Sequence, residues 1–229
     1  MTVTTPTATD SLASSLTERY VAAQLAGDRR AALALIDEGL DGGLSAAELQ
    51  LEVVQPAQYE IGRLWQENRI TVAQEHLATA ISQLVLAHLY RHLPRDASNG
   101  KRVLVACVEG ELHDMGARVA ADHLEMAGYA VQYLGANVPT TDLVAMVRQH
   151  PPDLLALSAS MPAHLPAVKD AVTRVCAATD NGVPIALGGR AFAGSEADYA
   201  AAGTLVSCTN IEELIRSGSR PAALGGPTG

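Results

Sequence analysis

The sequence predicts two structural units in series: an N-terminal four-helix bundle, then an α/β domain of Rossmann-like or flavodoxin-like type on a five-stranded parallel sheet. Three observations lead there. Residues up to about 94 carry apolar side chains at helical spacing almost throughout. A polar segment rich in turn formers follows, Pro94-Arg95-Asp96-Ala97-Ser98-Asn99-Gly100. Beyond it, short Val- and Leu-rich runs alternate with longer helical stretches, the pattern of a parallel sheet covered on both faces. The expected division is a disordered start (1–10), the bundle (11–94), a linker (95–101), the α/β domain (102–217) and a disordered Gly/Pro-rich tail (218–229).

Leu12, Leu16, Tyr20 and Val21 open the first helix, which Gly27-Asp28 breaks. Ala32, Leu33, Leu35 and Ile36 carry the second, with Gly39 as its end and Gly42-Gly43 as a further stop. Ser45 followed by Glu48 reads as a capping box, because each can satisfy a backbone N–H that the first helical turn leaves open. That third helix runs to about Trp65, with a kink at Pro56, which lacks the N–H of a helix interior. The fourth runs from about Thr71 to Leu93, with Leu77, Ile81, Leu84, Val85 and Leu89 along one side. In the second half, strands are expected at Val103–Val108, Ala130–Leu134, Leu154–Ser158, Pro184–Leu187 and Thr204–Val206. Helices are expected at Asp114–Ala127, Thr141–Gln149, Ala163–Ala178, Ala191–Ala201 and Ile211–Ser217.

The 229 residues are 48% hydrophobic and 18% charged, enough to bury a real core. The formal net charge is −9 and no basic run reaches four residues, which argues against direct DNA binding, since duplex affinity rests on Lys and Arg at phosphates. No apolar run approaches the roughly 20 residues of a membrane span. Cys107, Cys176 and Cys208 are widely spaced and form no CxxC pair, so the expectation is buried, reduced thiols in a cytoplasmic protein.

Ligands of open parallel sheets bind outside the carboxyl ends of the strands, which singles out the loops after Val108, Leu157 and Leu187. The first contains Glu111-Leu112-His113-Asp114-Met115-Gly116. A neutral imidazole can ligate a metal through one nitrogen while the other donates to a carboxylate, and Glu111 is placed to be that carboxylate. Gly116 lets a bulky flat ligand approach the backbone. After Gly116 come 41 residues (117–157), then Ser158-Ala159-Ser160, then 27 residues (161–187), then Gly188-Gly189. This three-part arrangement resembles the cobalamin-binding domain family, with its Asp-x-His-x-x-Gly, Ser-x-Leu and Gly-Gly elements. Glu111 stands where most members have Asp, a variant associated with light-sensing members, and Ser160 stands where many have Leu. The resemblance implies that His113 is the lower cobalt ligand, displacing the cofactor's own base. Glu111, Leu112, Asp114, Met115 and Gly116 would then line the cofactor, and Ser158, Ser160, Gly188 and Gly189 the slot for its nucleotide tail.

The helical half carries Trp65, nine residues, then Glu75-His76 in a helix otherwise rich in Ala and Leu. Burying a carboxylate and an imidazole together costs several kcal/mol unless each finds a polar partner, and a nucleoside would supply one. The arrangement resembles the helix-bundle cap of CarH-type photoreceptors, in which these side chains enclose a 5′-deoxyadenosyl group. The implied cofactor is therefore adenosylcobalamin, with Trp65, Glu75 and His76 against the adenosyl group. Some relatives of that kind also hold a linear tetrapyrrole such as biliverdin. Two departures stand out: only about ten polar residues precede the first helix, where those regulators have a DNA-binding domain, and Gln66 occupies the place of a cobalt-capturing His.

Three functional classes follow. The first is a stand-alone light sensor, not an enzyme, in which cleavage of the cobalt–carbon bond changes the cap and hence self-association or binding to a separate effector. The second is a corrinoid methyl carrier of a methyltransferase system, and the third a cobalamin store.

Overall fold

The computed structural model describes residues 8–192 and 204–205. The chain divides into two compact units, Met1–Pro94 and Arg95–Gly229.

The first unit is helical. α1 (Ala8–Leu25) starts ahead of the expected boundary at residue 11, and α2 (Arg29–Asp41) is capped by Asp28, whose carboxylate accepts from the N–H groups of Arg30 and Ala31. Gly39 does not end α2. It lies inside the helix, where a Cβ would come within 2.6 Å of Leu49 and 3.1 Å of Leu16, so it is a packing glycine that lets α2 approach its neighbours. Ser45 and Glu48 form the expected capping box at α3 (Ala46–Leu49). A π-helical turn, Gln50–Val54, then leads directly into α4 (Gln55–Gln66). The discontinuity associated with Pro56 is thus spread over the preceding turn. In a regular helix Pro56 would leave the carbonyl of Glu52 without its donor, and the Thr17 hydroxyl of α1 stands 3.0 Å from that oxygen.

α5 (Val72–Leu89) opens on a second capping box, Thr71 with Gln74, and closes in a 3₁₀ turn, Tyr90–His92. Its buried face is Ala78, Ile81, Ser82, Val85, Leu86 and Leu89; Leu77 and Leu84, expected on that face, are 38% and 41% exposed.

In the second unit, Arg95–Gly100 forms no regular element but is not a free linker. Asp96 N–H donates to Met126 O and Asn99 N–H to Gly128 O, and Gly128 (φ 82°) has no room for a Cβ against Ala97 O. The strands are β1 (Arg102–Cys107), β2 (Ala130–Tyr133), β3 (Leu154–Ser158), β4 (Ile185–Gly188) and β5 (Thr204–Leu205), all parallel in the order β2-β1-β3-β4-β5. The helices are α6 (Met115–Met126), α7 (Thr140–Gln149) and α8 (Leu165–Ala178).

Alternation along the strands divides the core. Val103, Val105, Cys107, Leu154, Ala156 and Ala186 pack with Ala117, Ala120, Ala121 and Leu124 of α6. Leu104, Ala106, Leu155, Leu157, Ile185 and Leu187 pack with Leu143 and Val147 of α7 and Val168, Val172 and Val175 of α8. Of the expected Ala191–Ala201 helix the described residues include a 3₁₀ turn, Arg190–Phe192; the expected Ile211–Ser217 helix, the tail and Cys208 lie outside them. Cys107 is buried as expected, whereas Cys176 is only partly so. Among the described residues no helix is long and apolar enough to cross a membrane.

Candidate functional site

The strand order reverses between β1 and β3, and that is where parallel sheets bind ligands, beyond the strands' carboxyl ends. Register brings the expected elements there. Cys107 pairs with Ser158 and Ser158 with Gly188, so the Glu111–Gly116 loop, Ser158-Ala159-Ser160 and Gly188-Gly189 leave three adjacent strands at one level.

Glu111 is the hub of this end. It has no exposed surface, yet its carboxylate accepts five hydrogen bonds. Oε1 takes the His113 backbone N–H (2.8 Å) and His113 Nδ1 (2.6 Å); Oε2 takes Ser160 N–H (2.6 Å), Met161 N–H (3.1 Å) and His164 Nδ1 (2.9 Å). Burial alone would push this carboxyl up. The bonds from His113, His164 and Ser160 overcome it and hold the group well below the usual carboxylate range. A carboxylate only accepts, so the proton of each imidazole sits on Nδ1. That fixes His113 in the tautomer whose Nε2 carries the lone pair a metal needs.

The loop is braced from the β2–α7 connection. Asn137 Oδ1 accepts from Gly110 N–H (2.7 Å), Asn137 N–H donates to Glu111 O (2.8 Å), and Tyr133 OH donates to the Asp114 carboxylate (2.9 Å). Asp114 is therefore held by Tyr133 and does not cap α6. Burial raises the Tyr133 hydroxyl above its ordinary value, with the Asp114 charge acting the same way. Behind the loop, burial pushes the Cys107 thiol up to about 12, with the Asp114 and Glu111 charges adding to it.

What faces outward suits a flat, bulky group. The His113 side chain is 54% exposed, Leu112 is 70% exposed, and a Cβ on Gly116 would meet nothing within 4 Å. Gly189 (φ 108°) lies so close to Ala159 that a Cβ would stand 2.2 Å from its carbonyl oxygen. The Gly-Gly turn thus keeps the mouth of the strand ends low and free of side chains. An imidazole oriented by a carboxylate, beside this open floor, fits a corrin-borne cobalt.

In the helical unit, Trp65 lies in the last turn of α4, and Glu75 and His76 in the first turns of α5, on either side of one connection. Trp65 is half-buried. Glu75 and His76 are not buried together as expected: the His76 side chain is 75% exposed and that of Glu75 22%, with His76 Nδ1 at 2.5 Å from Glu75 Oε2. The desolvation cost is avoided by leaving the imidazole at the surface.

Comparison with known proteins follows the same division. A family described as B12 binding domain matches residues 101–213, and a second of that description matches residues 16–90. The chain carries B12-binding domains. The HTH-type transcriptional repressor CarH of Myxococcus xanthus is 33% identical over 175 residues, 76% of this chain and 57% of the repressor. CarA of the same organism is 36% identical over 124 residues, 53% of this chain and 41% of that protein, so the chain spans only about half of these relatives. Dimethylamine corrinoid protein 1 of Methanosarcina acetivorans is 23% identical over 159 residues, 69% of this chain and 74% of the relative. The solved structure of the Methanosarcina barkeri monomethylamine corrinoid protein shares the fold, with a TM-score of 0.75 at 18% identity over 89% of this chain and 99% of that one.

In the α/β B12-binding domain, sequence reasoning missed His164, Asn137 and Tyr133. His164 was discoverable: it lies in the loop after β3, one of the three singled out as ligand loops, and is the only imidazole there.

Proposed function

We propose that the chain is an adenosylcobalamin-dependent light sensor of the CarH kind. The observation that carries this reading is the Glu75–His76 pair, presented at the start of α5 with nine residues between it and the chain's only Trp, in a helical B12-binding domain within a sequence 33% identical to CarH. When bound, the cofactor supplies a light-cleavable cobalt–carbon bond and the adenosyl group attached to it.

The chain's residues divide the remaining work. His113 would hold the cobalt through Nε2, while Glu111 keeps the Nδ1 proton in place. Leu112, Asp114, Met115 and Gly116 border the corrin, while Ser158, Ser160, Gly188 and Gly189 line the slot for the displaced nucleotide. Trp65, Glu75 and His76 meet the adenosyl group, so they are the contacts that differ between dark and light. A ligand shifts a conformation only through such differential contacts, and the altered helical surface then changes self-association or the binding of a separate protein. Gln66 leaves that helix end without a second imidazole, and an amide is a poor cobalt ligand by comparison.

The test is to load the protein with adenosylcobalamin in darkness and record its absorption spectrum and hydrodynamic size before and after green light. Both change on this reading; an unchanged spectrum refutes it. The same spectrum would display the band of a linear tetrapyrrole such as biliverdin, to which we assign no residue. Methyl carriage is the second reading, favoured by 28% identity over 137 residues to dimethylamine corrinoid protein 3 of Methanosarcina acetivorans. Equal dark affinity for methyl- and adenosylcobalamin would support it.

A further inference from the structure

The helical unit contains a line of hydrogen bonds that packing does not require. Gln24 of α1 has no exposed surface, and its Nε2 lies 2.9 Å from Gln58 Oε1, 3.0 Å from Ala78 O and 2.9 Å from Ser82 Oγ. Tyr20 OH adds a 3.0 Å contact to the same Ser82 hydroxyl. Gln58 of α4 donates from Nε2 to Thr79 Oγ1 (3.3 Å), and Thr79 donates to Glu75 Oε1 (2.9 Å). Glu75 Oε2 meets His76 Nδ1. Three helices are therefore joined, from the centre of the bundle to the Glu75–His76 pair.

Chemistry at both ends fixes the direction of this line. The Ala78 carbonyl only accepts, so the Gln24 amide nitrogen must face it. The Glu75 carboxylate only accepts, so Thr79 must donate to it and take its own bond from Gln58. Along the path Gln24–Gln58–Thr79–Glu75 each donor then points toward the carboxylate, an arrangement in which successive bonds polarise one another and end on a charge. The arrangement has a cost: Gln24 Oε1 is buried with no hydrogen-bond partner among the described residues. Apolar side chains at these positions would pack α1, α4 and α5 without stranding an oxygen.

We propose that Thr79 and Gln58 are positioning residues that set the Glu75 carboxylate, and through it His76, for the upper group of the cofactor. This rests on the reading that Glu75 and His76 meet the adenosyl group. The chain is tested alone in the cofactor-free protein: Glu75→Ala shifts the side-chain amide resonances of Gln58 and Gln24, and unmoved resonances overturn it. Its purpose is tested by dark dissociation constants. Thr79→Val weakens adenosylcobalamin binding at least five-fold while methylcobalamin binding stays within two-fold, and Thr79→Ser restores it. Equal weakening for both cofactors, or none, means that Thr79 is merely structural and overturns the assignment. If the unaltered protein itself does not distinguish the two cofactors, the light-sensor reading falls, while the resonances still decide whether the chain exists.

Discussion

Glu111→Gln replaces one oxygen of the five-bond carboxylate by an NH₂ group that can only donate. Placed at Oε1 it confronts two donors of His113; placed at Oε2 it confronts Ser160 N–H, Met161 N–H and His164 Nδ1. The less damaging choice strands the His113 backbone N–H and forces His113 into the other tautomer. At about 1–3 kcal/mol for a buried donor left unpaired, and with the charge-assisted bonds to the carboxylate lost as well, the loss is about 2–4 kcal/mol at neutral pH. The pH dependence has a definite sign. The folded carboxyl lies far below its ordinary value of 4.5, so its stabilisation is fully present above 4.5 and is lost as pH falls toward the folded value. Because the unfolded carboxyl is already half protonated at 4.5, the first pH unit below it removes about 1 kcal/mol, and the gap between parent and variant narrows by that much between pH 4.5 and 3.5. The chain's only Trp belongs to the helical unit. Urea unfolding is instead followed by amide exchange or NMR signals of β1 and β3. A gap below about 0.5 kcal/mol at pH 7, or one independent of pH, refutes the reasoning.

Three further outcomes are expected. His164→Leu leaves Glu111 Oε2 with its backbone donors but one hydrogen bond fewer, and lowers cobalamin affinity about ten-fold by equilibrium dialysis; unchanged affinity would make His164 a bystander. Gly189→Ala forces a Cβ against Ala159 O at a positive φ, and destabilises the α/β unit by about 3 kcal/mol in the same unfolding experiment. Gly39→Ala should stabilise an isolated helix by about 1 kcal/mol. Here it meets Leu49, so Trp65 fluorescence should show net destabilisation by about 1–2 kcal/mol.

Much of the fold was legible because local chemistry and global topology agree. The capping box at Ser45 formed as read, since it depends only on residues three apart, and α5 begins next to the expected Thr71, where the structure adds a second box with Gln74. Strand and helix alternation predicted the parallel sheet, and the observed order put Ser158 and Gly188 beside β1. The misreadings share a cause. Whether Gly39 ends a helix or packs inside it depends on Leu49 and Leu16, which its own neighbourhood does not reveal. Leu77 and Leu84 satisfy helical spacing but lie just off the buried stripe of Ile81, Val85 and Leu89. Composition made Glu75 and His76 look buried, whereas their place in the first turns of α5 leaves the imidazole at the surface. His164 was missed because 53 residues separate it from Glu111, and only the loop after β3 closes that distance.

The account stands or falls on the nitrogen below the cobalt. The protein, grown with ¹⁵N-labelled histidine and loaded with unlabelled cobalamin, is reduced to the cobalt(II) state and examined by electron paramagnetic resonance. If His113 is the ligand, the nitrogen splitting of each cobalt line changes from a triplet to a doublet, and His113→Ala abolishes the doublet. A triplet that persists in the labelled protein would mean that the cofactor's own base is still coordinated, and would contradict the assignment.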